Sequence, residues 1–305
     1  VTVLLSAPGP VPAPPANPWP GVLQTWDGWD GSHWVISGDR RSGVRLKSGV
    51  VGLHLPAWKR YTRDSPAVPG SQFRGAVALE REVFWSVGVY QAEGSQAWLE
   101  YDRAWSRSLH VEHEGVWTVR LPTGERRSLR LRIDSDGTHA FATDPSRVGW
   151  ANYAIALVAS QPFWTGQPVV RSFQAAAPGG FFGAGAPPFT IGSGSTLGAA
   201  TIDNPGDEPA WLTWRAHGPF ESVQVGVGGR VVEVPFALAA GKHLTIATSP
   251  TEQTAFDSDG VERTGELGEV DFAAVPPGAK VELSLAMVGT GIVEAELVPL
   301  YHRAW

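Results

Sequence analysis

The sequence predicts a mainly β protein in two parts: an N-terminal β-rich domain with one amphipathic helix, and a C-terminal antiparallel β-sandwich of jelly-roll or galectin-like pattern. Three observations carry this. The 36 Gly and 25 Pro among 305 residues cut the chain into short segments, because Gly supplies positive φ and Pro removes a backbone donor. Between these breaks apolar and polar residues alternate with period two, as half-buried strands require. A content of 43% hydrophobic and 18% charged residues is that of a chain able to bury a core.

Taken in order, residues 7–21 are interleaved with Pro and favour an extended polyproline-II arm. Trp19 is its natural anchor on a neighbouring subunit; a plain leader is the other account of residues 1–21. Asp27-Gly28 and Asp30-Gly31 are turn dipeptides, followed by a short strand at 33–37. Further strands are predicted at 50–55, 76–80 and 82–90. Over 95–109, Trp98, Tyr101, Asp102, Trp105 and Leu109 recur every three or four residues, with Glu100, Arg103 and Arg107 outside that stripe. This predicts the one amphipathic helix, N-capped by Ser95.

Residues 116–121 and 129–133 flank Pro122-Thr-Gly-Glu125 as a hairpin. Its apolar face holds Trp117, Val119, Leu121, Leu129, Leu131 and Ile133, so Arg130 and Arg132 point the other way. A longer strand at 149–158 leads to 161–166. The small, Gly/Pro-rich stretch 175–188 places a domain boundary near residue 172, giving 1–21 as arm, 22–171 as first domain and 172–305 as second. In the second, Val223, Val225 and Val227 share a face before the Gly228-Gly229 hairpin turn. Val281, Leu283, Leu285 and Met287 share another, and Val293, Ala295 and Leu297 alternate with Glu294 and Glu296.

Composition excludes several chemistries. A formal net charge of −6 opposes general nucleic-acid binding. Zero Cys removes disulfides, thiolate catalysis and zinc-thiolate sites. No apolar run reaches the ~18 residues of a membrane span, and no charged n-region precedes an apolar h-region, so no secretory signal is expected. The 14 Trp are in excess; roughly two-thirds are expected in the core and the remainder at interfaces.

No constellation for catalysis emerges, and no cofactor or metal is expected. His110 and His113 are spaced by three on an extended backbone, which would send their rings to opposite faces. Asp-Ser-Asp-Gly at 134–137 and 257–260 lacks the distal ligands of a calcium loop and is better read as hairpin turns. Gly192-Ser-Gly-Ser195 has no strand-turn-helix context for a nucleophile, and the prolines after Gly183-Ala-Gly185 forbid a phosphate-loop helix. Glu80 and Glu82 share a strand face that Arg74, Arg81 and Arg103 can neutralise. The Arg-rich stretch from Arg120 to Arg147 is a solvated hairpin face or a rim meeting acidic groups of an adjoining subunit; direct DNA reading comes third, because Glu112, Glu114 and Glu125 dilute the charge.

Gly149-Trp-Ala-Asn-Tyr153, Pro162-Phe-Trp-Thr-Gly166, Phe181-Phe-Gly183, Asn204-Pro-Gly-Asp207 and the closing Tyr301-His-Arg-Ala-Trp305 occur in an order and spacing that resembles the distal tail (Dit) and minor tail proteins of long-tailed siphovirus actinobacteriophages. The resemblance implies a structural virion protein with no enzymatic activity. It would be assembled in the host cytoplasm and sit at the tail tip, as a homo-oligomeric ring, usually a hexamer, between the tail tube protein and the tip or baseplate. The first domain with its helix would build the ring. The sandwich would face outward toward a hub or tail-associated lysin-type protein, other minor tail proteins or fibres. Candidate interface residues are Trp19, Trp98, Trp105, Arg130, Arg132 and Trp305. The alternative is a carbohydrate-binding sandwich that recognises host cell-wall glycan; sequence-specific nucleic acid is not an expected partner on either account.

Overall fold

A computed structural model of the chain describes residues 21–37, 43–66, 68–136, 141–174 and 200–305. The Pro-rich arm with Trp19, the Gly/Pro stretch 175–188 and Gly192-Ser-Gly-Ser195 lie outside them.

The first half runs β1 (Leu23–Asp27), β2 (His33–Val35), β3 (Val44–Leu46), β4 (Trp58–Ser65), β5 (Val68–Ala78), β6 (Arg81–Tyr90), α1 (Ser95–Arg107), β7 (Gly115–Arg120), β8 (Arg126–Asp136), α2 (Pro145–Val148), β9 (Trp150–Ala159) and β10 (Trp164–Thr165). The remainder is β11 (Val169–Gln174), β12 (Thr201–Asp203), β13 (Leu212–His217), β14 (Phe220–Val227), β15 (Arg230–Val234), β16 (His243–Ser249), β17 (Glu252–Asp257), β18 (Lys280–Gly289), β19 (Ile292–Leu297) and β20 (Leu300–Tyr301). The protein is mainly β, as the turn and alternation signals predict.

In the first half the strands follow the order β2-β1-β7-β8-β9-β6-β3. The amide of Leu46 donates to the carbonyl of Ile36 at 2.8 Å, which brings the two ends of the sheet together in a nearly closed barrel. Its core is a string of indoles. Trp26 meets Trp85 edge-on at 5.3 Å between ring centres, Trp85 meets Trp117 at 5.2 Å, and Trp117 meets Trp164 at 4.9 Å. Such contacts add about 0.5–1.5 kcal/mol each beyond the area they bury. Gly115 is required by this packing, since a Cβ there would overlap the Trp26 ring. Seven of the thirteen described tryptophans are buried, fewer than the two-thirds expected.

In the second half, sheets β11-β19-β13-β16-β17 and β12-β18-β14-β15 turn their inner faces onto one shared core. Val223, Val225 and Val227 lie in it with Leu283, Leu285, Met287, Val293, Ala295 and Leu297, as their alternation predicts. Gly228 and Gly229 both have positive φ in the two-residue turn between β14 and β15.

Three local expectations are corrected. Residues 50–55 are not a strand; only Val51 bridges, to Phe84. The neighbouring carbonyl of Gly52 instead accepts from the Arg81 guanidinium and the Trp164 indole. The N-cap of α1 is Gly94, with no side-chain cap. The predicted strand at 76–80 is the end of a longer one, β5, whose partner β4 the alternation does not reveal.

Candidate assembly surfaces

The interface candidates separate. Trp98 and Trp105 face inward from α1, only 4% and 1% exposed, so their rings are spent inside the chain rather than on its surface. Leu129 and Leu131 are buried while Arg130 projects into solvent. Arg132 is held at 3.1 Å by Glu114. Trp305 is exposed, its ring edge-on to His54 at 6.0 Å.

The most exposed element was not singled out by sequence. β4 and β5 form a two-stranded ribbon of their own. Trp58 lies opposite Ala78, Arg60 opposite Ala76 and Thr62 opposite Phe73; Lys59 with Val77 and Tyr61 with Gly75 occupy the other face. Both faces are open to solvent, and Phe73 is 66% exposed. An isolated two-stranded hairpin is marginal in water, and this ribbon pairs with no further strand among the described residues. The available signal was Pro69-Gly70, a turn dipeptide between two β-prone runs.

At the ribbon's base the chain is stitched to its own closing residues. Arg81 is only 2% exposed and donates to four carbonyls: Pro162 at 2.5 Å, Gly52 at 2.8 Å, His302 at 2.8 Å, and His54. No carboxylate faces it, so Glu80 and Glu82 are not neutralised by Arg81 as expected, and burial pulls its pKa down to about 10. The His302 ring packs on Trp58 and Phe163 at 5.7 Å each, and its Nε2 lies 2.7 Å from Glu208 Oε1. β20 pairs with β10, Ala304 donates to the Leu53 carbonyl at 2.9 Å, and Arg127 stacks on Tyr301 at 3.7 Å. Residues 300–305 thus belong to the first core although 292–297 belong to the second.

His110 and His113 do not diverge as expected. Their ring centres lie 4.6 Å apart, both against Trp29 at 4.9 Å, because the segment bends instead of extending. His110 Nδ1 accepts from the amides of Glu112 and His113, which occupies that nitrogen. No group of three or more potential metal ligands occurs among the described residues. The turn at 257–260 behaves as predicted: Asp257 Oδ1 accepts from the amides of Asp259 and Val261. The bond from Val261 leads in holding the Asp257 carboxyl below its usual pKa. The other copy is described only through Asp136. Trp211 and Trp214 form no exposed aromatic platform, since Trp214 is buried and Trp211 half-buried.

Charge is divided unevenly along the chain. Residues 21–171 hold 18 Lys and Arg against 15 Asp and Glu, a net +3; residues 172–305 hold 6 against 15, a net −9.

No protein-family model matches the sequence, and no curated protein matches it. Among solved structures the chain is similar to SPP1 Dit (gp 19.1), described as a paradigm of the hub adsorption apparatus in phages infecting Gram-positive hosts. The TM-score is 0.59 at 12% identity, covering 90% of this chain and 98% of that one. This is a Dit-like fold. The phage P2 baseplate in its activated conformation with Ca gives a TM-score of 0.54 at 10% identity over the same shares. The match spans both halves, so the arrangement of barrel and sandwich is part of the likeness.

Proposed function

We propose that the chain is a structural virion protein, a distal tail subunit of a long-tailed phage of actinobacteria. Its first half assembles into a ring, expected to hold six copies, that joins the tail tube protein to the tail tip. The sandwich points outward and scaffolds a hub or lysin-type protein and other minor tail proteins. The division falls as 22–171 and 172–305, and the subunit is assembled in the host cytoplasm before it reaches the tail tip.

The observation that carries this is the β4–β5 ribbon, with apolar rings on open faces and no core of its own. An element of that kind is completed by another chain, and a repeated head-to-tail contact closes into a ring. The Dit-like fold over both halves supports the same reading. Arg130 and Trp305, both at the surface, remain interface candidates, and Trp19 joins them through the arm. The role requires no catalytic group or cofactor.

Native mass spectrometry with negative-stain imaging tests it. A discrete ring with a central hole is the expected result. A strict monomer at tens of micromolar, with glycan affinity in the sandwich half, would replace it with the carbohydrate-binding alternative.

A further inference from the structure

Between α1 and β7 the chain turns back on a histidine. His110 Nδ1 accepts from the amide of Glu112 at 3.0 Å and from that of His113 at 3.2 Å. An imidazole nitrogen accepts only while it carries no proton, so in this turn the His110 hydrogen sits on Nε2. The His110 ring lies 4.6 Å from that of His113, and both lie 4.9 Å from Trp29. Trp29 is fixed in turn by its indole, which donates to the Arg107 carbonyl at 2.7 Å. The Ile133 amide donates to the His110 carbonyl at 3.0 Å and ties the turn to β8.

The two imidazoles respond differently to a proton. His113 is exposed and stacks within 23° of parallel on Trp29, so an imidazolium there gains from the negative face of the indole. His110 is half-buried and tilted 57° from Trp29. A proton on its Nδ1 turns an acceptor into a donor that faces two N–H groups. It also sets a second positive charge 4.6 Å from the first. Charged groups on the elements around the turn are Asp27, Asp30 and His33 of the β1–β2 hairpin, Arg107 of α1, Glu112 and Glu114 of the turn itself, and Arg130 and Arg132 of β8. Asp27 is taken by His33 at 2.5 Å, Asp30 by the Ser32 hydroxyl at 2.6 Å and Glu114 by Arg132 at 3.1 Å. Glu112 alone remains to offset two imidazolium charges.

We propose that residues 110–113 form an acid-released clasp. Proton uptake at His110 Nδ1 breaks both amide bonds and opens the turn, while His113 charges in place on Trp29. The clasp is closed at neutral pH and opens as pH falls through the ordinary histidine range. Opening adds two positive charges to a surface that already holds Arg107 and Arg130, so acid changes both its backbone and its charge. The device is local and does not depend on self-association.

An open-chain histidine titrates at about 6.5, so one unit below that value opening is favoured roughly tenfold over its neutral level. Hydrogen exchange of the full-length protein at pH 7.5 and 5.5, expressed as protection factors so that intrinsic rates cancel, should show that fall at the Glu112 and His113 amides. His110→Asn keeps an acceptor for both amides, as in an Asx-turn, and cannot titrate, so its protection should not differ between the two pH values. His33→Gln removes the neighbouring imidazole and should leave the wild-type response intact. Nitrogen NMR of the wild-type His110 ring, which needs no variant, should find a proton on Nε2 alone at pH 7.5. Equal wild-type protection at both pH values, a fall that survives in His110→Asn, a fall lost in His33→Gln, or a protonated His110 Nδ1 at pH 7.5 each overturns the clasp.

Discussion

Replacing Arg81 by methionine removes a cation that has no anion beside it and leaves four carbonyls, of Gly52, His54, Pro162 and His302, without their donor. Hydrogen bonds to a charged donor contribute about 1.5–3 kcal/mol each net, which makes the four together about 6–12 kcal/mol. Against this stands the desolvation of the guanidinium, several kcal/mol after relaxation, the same burial that lowers its pKa to about 10. The balance is a loss of about 3–5 kcal/mol for Arg81→Met. Arg81→Lys keeps the charge but not the planar fork, and should lose about 2 kcal/mol. Denaturant unfolding followed by tryptophan fluorescence is the suitable assay, because Trp26, Trp85, Trp117 and Trp164 report on the barrel core that Arg81 borders. Arg81→Met costing less than about 1 kcal/mol, the net value of one ordinary hydrogen bond, would refute the reasoning and show that the carbonyls find water or each other.

Other consequences can be measured separately. Gly115→Ala should destabilise the barrel by about 1–3 kcal/mol through overlap with the Trp26 ring, and Trp26→Phe in the same chain should recover part of that loss; equal costs with and without Trp26→Phe would contradict it. Deleting residues 300–305 should raise hydrogen exchange at 52–54 and 161–166 in the barrel more than in the sandwich strands; the reverse pattern would deny these residues their place in the first core. The Asp257 carboxyl is held below its ordinary value near 3.8, so its contribution to the 257–261 turn is complete above that value and is lost as pH falls through the lower folded one. The protection factor of the Val261 amide should fall over that acid range, and Asp257→Ala should leave it low at every pH.

Much of the fold was legible in the sequence where one strand face is buried and the other wet. The hairpin of Trp117, Val119, Leu129 and Leu131 with Arg130 outward is such a case, and so are the valines of β14. The ribbon was hidden because neither of its faces is buried; Lys59, Arg60, Arg63 and Arg74 interrupt any alternation, and ladder hydrogen bonds alone define it. The segment 50–55 has a strand's composition, yet side-chain donors from Arg81 and Trp164 claim the Gly52 carbonyl, and only tertiary structure reveals them. Arg81 itself sits between Glu80 and Glu82 and reads as a surface charge; the carbonyls that hold it lie from 27 to 221 positions away. His110 and His113 misled because period-two geometry was applied to a bend anchored on Trp29.

The route of the chain has a mechanical consequence. It leaves the barrel after β10, builds the sandwich from β11 through β19, and returns at β20 beside the strand it left. The sandwich is thus tethered by two covalent crossings. A body on one tether swivels freely, whereas a body on two adjacent tethers can rock only about the line joining them. Force applied to the sandwich would reach the barrel as torque about that line, delivered beside Arg81 and the root of the ribbon.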